Sequence, residues 1–313
     1  MVEVVVLNHD AAHYADAIRT HLPEVVVHGV TNATAAQACC GNADVLVALG
    51  YEVSDPLLAA MPALRWIQTL TTGVDKLLAL GNLATDVRVS TGRGIHGPQM
   101  AELAFLYMIA LSRDFRAMMA NQANAHWQRG PQTLLLGKTA VLVGVGSISE
   151  AIASRCQAFG MHVIGVSDSR HDAPGFDTIL PRSDLVRIAA QADFLIVLAP
   201  LDATTTRLID RQVIGAMQPH SFLINLARGP VVDETALIEA LESHRIAGAG
   251  LDVFEVEPLP PESPLWRMSN VILTPHIGGM SNVYTQQFTP LLLDNLVAYT
   301  QGRIADMRNV VRG

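Results

Sequence analysis

TAVLVGVGSISEAIASRCQAF, residues 139–159, is the stretch on which the reading of the fold turns. Thr139 to Val145 is a run of β-formers that leads into Gly144-Val145-Gly146-Ser147-Ile148-Ser149, and Glu150 to Phe159 follows as a helix. Strand, glycine turn and helix in that order make a phosphate-binding turn. The first glycine permits the tight turn, and the second lets the backbone approach a pyrophosphate at the positive end of the helix. Gly144 and Gly146 fill those roles, while Ser149 stands where a third glycine is usual. The next strand, His162 to Val166, ends in Ser167-Asp168-Ser169-Arg170. An acid about 20 residues beyond the glycines is expected to hold a ribose 2′-hydroxyl, which makes Asp168 the candidate. Ser167, Ser169 and Arg170 could instead cradle a 2′-phosphate, so NAD(H) and NADP(H) both stay open, with a slight lean to NAD(H).

Outward from this turn, short runs of Val, Ile and Leu alternate with helical patterns, the signature of α/β folds with parallel sheets. Strands are expected near Val2 to Leu7, Val25 to Val30, Val45 to Leu49, Trp66 to Leu70 and Val87 to Thr91, with helices around Ala11 to His21, Pro56 to Met61 and Val74 to Leu80. After the turn come strands near Phe194 to Leu198, Phe222 to Leu226, Gly248 to Phe254 and Val271 to Thr274, which complete a six-strand set. A helix from about Pro98 through Leu111 is apolar nearly all round and should be buried at a domain or subunit interface. An amphipathic helix from Tyr284 to Thr300 closes the series.

The 313 residues suffice for two domains with substantial cores, and 50% hydrophobic with 16% charged residues is an ordinary globular composition. With 21 basic and 29 acidic residues the net charge is 21 − 29 = −8, which argues against nucleic acid as a partner. No apolar run approaches the roughly 20 residues that span a bilayer, and the first residues read as a strand without a basic signal region. A cytoplasmic protein without membrane association is expected. Cys39, Cys40 and Cys156 are odd in number and suit reduced thiols. His9 and His13 share ligand-like spacing but lack a third partner, so no metal is expected.

Arg228, Glu257 and His276 lie after three of the later strands, where open α/β sheets place their ligands. Their settings are Asn225-Leu226-Ala227-Arg228-Gly229-Pro230-Val231-Val232-Asp233, Asp252-Val253-Phe254-Glu255-Val256-Glu257-Pro258 and Thr274-Pro275-His276-Ile277-Gly278-Gly279. Histidine suits proton transfer near neutral pH, a carboxylate beside it favours the protonated ring, and an arginine fork matches a carboxylate. Reduction of a 2-keto acid by hydride needs these groups: His276 as general acid and base, Glu257 to orient it, and Arg228 to bind the substrate carboxylate and polarise the keto oxygen.

Taken in order, these motifs resemble the D-isomer-specific 2-hydroxyacid dehydrogenases. Thr71-Thr72-Gly73-Val74-Asp75 is similar to the family's substrate-carboxylate loop, and Met100 to Ala104 to its interdomain helix. The resemblance implies two Rossmann-like or flavodoxin-like α/β domains with the active-site cleft between them. Residues 1–98 with 281–313 would form a discontinuous substrate domain, and residues 99–280 an NAD(P)-binding Rossmann domain. Substrate contacts would come from Thr72, Gly73, Arg228 and His276. Coenzyme contacts would come from Gly144, Gly146, Ser147, Ile148, Ser167, Asp168, Ser169, Arg170, Ala199, Pro200, Thr205, Leu226, Ala227, Arg228, Asp252, His276 and Gly278, with Asp252 near the nicotinamide carboxamide. A homodimer is also implied. The expected function is therefore an NAD(P)-dependent oxidoreductase that interconverts a small 2-keto acid and its D-2-hydroxy acid. Two alternatives stand beside it. A formate dehydrogenase-like enzyme would need no proton donor, and an NAD-sensing, corepressor-like regulator would bind coenzyme without turnover.

Overall fold

The computed structural model describes residues 1–312, and the chain divides into two compact units, Met1–Ile95 with Met280–Gly313, and His96–Gly279. In the first unit β1 (Glu3–Leu7), α1 (Ala11–His21), β2 (Val26–Val30), α2 (Ala33–Cys39), β3 (Val45–Ala48), α3 (Asp55–Ala59), β4 (Trp66–Thr69), α4 (Asp75–Leu78) and β5 (Arg88–Ser90) follow in sequence. The second unit contains α5 (Gly97–Ser112), α6 (Phe115–Ala123), β6 (Thr139–Val143), α7 (Ser147–Ala158), β7 (His162–Val166), β8 (Thr178–Leu180), α8 (Leu185–Ala189), β9 (Phe194–Val197), α9 (Arg211–Ala216), β10 (Phe222–Asn225), α10 (Glu234–Glu242), β11 (Gly248–Leu251) and β12 (Val271–Leu273). The chain then returns to the first unit with α11 (Tyr284–Thr300) and β13 (Val310–Arg312).

The first sheet runs β13-β5-β4-β3-β1-β2 and the second β12-β11-β10-β9-β6-β7-β8. All pairings are parallel except β13 against β5. Strand pleating explains why the strands read as unbroken apolar runs. Val4, Val6, Val45 and Val47 pack on one face with α1 and α11, while Val5, Leu7, Leu46 and Ala48 pack on the other. In the second unit Val141, Val143, Leu195 and Val197 face one side and Ala140, Leu142, Phe194 and Ile196 the other.

The structure departs from the sequence reading at several elements, among them helices α2 and α6, which were not singled out in the sequence. The second sheet has seven strands rather than six, because β8 is a three-residue edge strand too short to show a period. The antiparallel β13 is equally short. The helix read as apolar all round, α5, buries most of its surface within its own unit, against α7 and the sheet. Gly250 in β11 makes room for it, since a Cβ there would lie 2.5 Å from the Tyr107 ring. A stripe of Glu102, Leu106 and Ile109 stays exposed. Among the described residues no helix is long and apolar enough to cross a membrane.

A buried polar network fastens α11 to the first sheet. Asn295 Nδ2 donates to Gln68 Oε1 (2.8 Å), which also accepts from Ser90 Oγ (2.7 Å), and Trp66 Nε1 donates to Ser90 Oγ (2.8 Å). Asn295 Oδ1 accepts from Arg308 N (2.7 Å), which positions the approach to β13. All four network side chains are fully buried, so removing one leaves its partners without water to replace it. Asn295→Leu is expected to cost about 2 kcal/mol or more, read as a lower urea midpoint for the first unit; an unchanged midpoint would mean that the network adds nothing.

Candidate active site

The glycine turn is built by close approach. Gly144 has φ +101°, and a Cβ there would fall 2.8 Å from Ala199 N, so only glycine lets β6 turn against the Ala199-Pro200 loop. Gly146 opens α7, with nothing within 4 Å of an added Cβ. Ser147 and Ile148 form the first turn of the helix, whose amides have no intrahelical acceptor. This open, amide-lined turn fits a pyrophosphate. Ser149 braces the turn instead of spoiling it. Its buried hydroxyl donates to Gly144 O (2.5 Å) and accepts from Gly146 N (3.3 Å).

At the end of β7 Ser167 Oγ accepts from Ser169 N (3.3 Å) and Arg170 N (3.1 Å), closing the turn on itself. Asp168 has both oxygens engaged by one residue that sequence reading did not single out. Arg182 N donates to Oδ1 (2.8 Å) and Arg182 Nε to Oδ2 (2.5 Å). These bonds hold the Asp168 carboxyl below the usual carboxylate range. Arg170 Nη1 pairs with Glu150 Oε1 at 2.5 Å. In the loop after β9, Thr205 is buried and turned inward. Its hydroxyl donates to Pro200 O (2.6 Å) and accepts from Asp202 N (2.8 Å), which makes it a brace of that loop.

Arg228, Glu257 and His276 follow β10, β11 and β12, three neighbouring parallel strands. Asn225, buried at the end of β10, holds the first loop. Its Nδ2 donates to Arg228 O (3.0 Å) and its Oδ1 accepts from Ala227 N (3.1 Å). Leu226 and Ala227 are buried between them. Gly229 brings this loop onto the next, since a Cβ there would sit 1.9 Å from Phe254 C and O. Glu257 Oε1 accepts from Phe254 N (3.2 Å), and Glu257 Oε2 lies 3.0 Å from His276 Nδ1. His276 has φ +54°, an unusual backbone for a non-glycine residue of the kind that collects at functional sites. Its amide donates to Asp252 O (2.8 Å).

Asp252 is the least exposed acid of the site and holds the whole Thr274–Gly278 loop. Oδ1 accepts from Ile277 N (2.9 Å) and from the Thr274 hydroxyl, and Oδ2 accepts from Gly278 N (2.8 Å). Tyr107 of α5 bonds Thr274 Oγ1 at 2.5 Å. Asn225, Gly229 and Tyr107 were not singled out in the sequence, although the first two stand inside the quoted motif.

Thr72 and Gly73 lie in the first unit, in the loop after β4. Thr71 Oγ1 donates to Gly73 O (2.9 Å), Thr69 Oγ1 to Thr71 O (2.8 Å), and Gly92 N to Thr71 O (2.9 Å). His96 is buried at the start of α5, where Gly279 packs on its ring. Trp127 stands 82% exposed, with the Arg129 guanidinium 5.7 Å over its ring. Trp266 is half-exposed and donates to Pro260 O (2.9 Å). Among the described residues no group of three or more His, Cys, Asp or Glu side chains could hold a metal ion.

A dinucleotide turn in the same unit as an arginine and a carboxylate-paired histidine defines a coenzyme-dependent oxidoreductase of oxo and hydroxy acids. Comparison with known proteins agrees. Residues 105–278 match the model of the D-isomer specific 2-hydroxyacid dehydrogenase, NAD binding domain. Glyoxylate/hydroxypyruvate reductase B of Salmonella newport is 33% identical over 304 residues, 95% of this chain and 94% of the relative. A family protein of known structure from Aeromonas salmonicida superposes with a TM-score of 0.92 at 32% identity, covering 99% of this chain and 98% of that one. The NADPH-dependent glyoxylate/hydroxypyruvate reductase of Sinorhizobium meliloti, solved with NADP and sulfate, gives 0.84 at 25% identity, over 99% and 98%. The chain belongs to the D-isomer specific 2-hydroxyacid dehydrogenase family. It is an NAD(P)-dependent oxidoreductase acting between 2-keto acids and 2-hydroxy acids.

Two substitutions test this construction. Asp252→Ala removes the acceptor for two amides and a hydroxyl, and is expected to lower kcat by about 100-fold through displacement of His276, while circular dichroism still shows a folded chain. Gly229→Ala forces the Arg228 loop off Phe254 and is expected to abolish turnover; wild-type rates would show that the close approach is dispensable.

Proposed function

We propose that the chain reduces a small 2-keto acid to its D-2-hydroxy acid, with Arg228, Glu257 and His276 as the working side chains. The observation that carries this reading is the 3.0 Å contact between His276 Nδ1 and Glu257 Oε2. With Nδ1 engaged by a carboxylate, Nε2 is the nitrogen left to exchange a proton. Bound NAD(P)H supplies the hydride to the carbonyl carbon. His276 Nε2 gives its proton to the carbonyl oxygen, so the keto group gains one hydride and one proton and becomes the hydroxyl. The ring is 44% exposed, which lets water return the proton for the next cycle. The Arg228 guanidinium binds the substrate carboxylate and draws charge from the keto oxygen.

The His96–Gly279 unit is the coenzyme-binding domain in this reading, and the remainder of the chain is the substrate domain. In the latter the Thr71–Gly73 loop offers backbone amides to an anion. Asp252 acts through the backbone of the His276 loop. Glyoxylate and hydroxypyruvate are the substrates of choice for a first assay, given the relatives of 33% identity. A formate dehydrogenase would not need the proton of His276, and a sensing role would show coenzyme binding without turnover.

The oligomer proposed is a homodimer through α5 and α6. No residue of α6 is buried, and Phe115 and Met119 expose apolar side chains, as do Leu106 and Ile109 of α5. A nine-residue helix with no buried face is marginal in water and needs a surface to cover it. A cytoplasmic setting suits the three free thiols, Cys39, Cys40 and Cys156.

His276→Ala is expected to lower kcat for glyoxylate or hydroxypyruvate by about 100- to 10,000-fold, and Glu257→Gln by less, at unchanged coenzyme affinity. Arg228→Lys should raise KM and lower kcat together, because a point charge replaces the fork. Full turnover by His276→Ala would remove the proton-transfer role. Sedimentation is expected to give a dimer that Leu106→Glu with Met119→Glu converts to monomer; a wild-type monomer would refute the proposed interface.

A further inference from the structure

We infer that Arg182 selects the coenzyme: by taking Asp168 out of service as a ribose ligand, it makes the end of β7 a site for a ribose 2′-phosphate, and the chain prefers NADP(H). This rests on the reading of the Gly144–Gly146 turn as a dinucleotide site. A ribose diol is held by a carboxylate that offers its oxygens to two hydroxyl donors. Here Oδ1 and Oδ2 of Asp168 each accept a bond from Arg182, and its charge is already neutralised. Ser167, the residue that ends β7, is neutral and spends its hydroxyl on Ser169 N and Arg170 N. No free acid is therefore presented at the tip of the strand.

What the tip does present is cationic. Arg170, at the end of the Ser167–Arg170 turn, and Arg182, bonded to it through Asp168, have side chains 38% and 33% exposed, and the turn also carries the Ser169 hydroxyl. Arg182 Nη1 also donates to Thr204 Oγ1 (3.2 Å), so the guanidinium is anchored to the loop after β9 as well as to the turn after β7. Each arginine has one carboxylate partner, Glu150 for Arg170 and Asp168 for Arg182. Partly exposed pairs of this kind hold weakly, whereas a phosphate dianion brings more charge and three strong acceptors to the same guanidinium forks. Exchange of carboxylate for phosphate is therefore favourable, and a 2′-hydroxyl offers no such gain. The lean of the bare sequence toward NAD(H) came from Asp168 alone, and Arg182, 14 residues further on, reverses it.

The test is calorimetric titration of the whole protein with NADP+ and with NAD+, without any keto acid, so that catalysis does not enter. NADP+ is expected to bind at least tenfold more tightly than NAD+. Arg182→Ala and Arg170→Ala should each cut that ratio by tenfold or more, and Asp168→Asn, which frees Arg182, should raise it. NAD+ binding as tightly as NADP+, or loss of NAD+ affinity in Asp168→Asn, would overturn the assignment. If neither dinucleotide bound, the reading of the glycine turn would fall, and this assignment with it.

Discussion

A charged carboxylate in the interior is costly unless every oxygen finds a donor, and Asp252 makes that requirement into an organising constraint. Its side chain is almost wholly buried, and the donors that satisfy it are the Thr274 hydroxyl and the amides of Ile277 and Gly278. The loop has to wrap the carboxylate to supply them, and in wrapping it passes through the left-handed conformation at His276. Gly278 has no Cβ because one would lie 2.8 Å from Asp252 Oδ2. The histidine is thus placed by an acid that need not touch the substrate at all. Tyr107 extends the same constraint into α5 through Thr274, so the position of His276 is set in part by a helix far from it in sequence.

A second constraint brings the other side chains into register. Parallel neighbours β10, β11 and β12 end at the same edge of the sheet, which puts the Arg228, Glu257 and His276 loops side by side. Side-by-side loops do not by themselves touch. Gly229 lets the first press on the backbone of Phe254, and Glu257 turns back to accept from Phe254 N while reaching His276. Sheet topology gives the neighbourhood, and the loop contacts give the spacing that chemistry needs.

Much of this was legible in the residues. The strand-glycine-helix order around Gly144 pointed to an α/β unit and the three motifs to loops that the structure sets on neighbouring strands, because parallel strands leave unbroken apolar runs and a tight turn leaves glycines. Short edge strands escaped, since three residues such as Thr178–Leu180 carry no period. The pairing of Asp168 with Arg182 was invisible because it crosses from the end of β7 to the end of β8, a contact between strand ends that no local spacing announces. Ser149 looked like a lost glycine and proved to be a brace, since a hydroxyl in that space finds Gly144 O and Gly146 N. Whether a small polar residue weakens or strengthens a turn depends on what surrounds it.

The order in which the segments leave the ribosome follows from the discontinuous first unit. Residues 96–279 are contiguous and can complete their core as soon as they have been made. The first 95 residues are synthesised earlier but have to wait longer. Phe288, Leu291, Leu292 and Leu296, which cover one face of their sheet beside Tyr14 and Ile18, arrive only after the whole second unit. Asn295, which closes the buried network with Gln68, comes with them. Through most of synthesis the first-made domain therefore carries an uncovered apolar face, and that nascent surface is where chaperone binding and misassembly would concentrate.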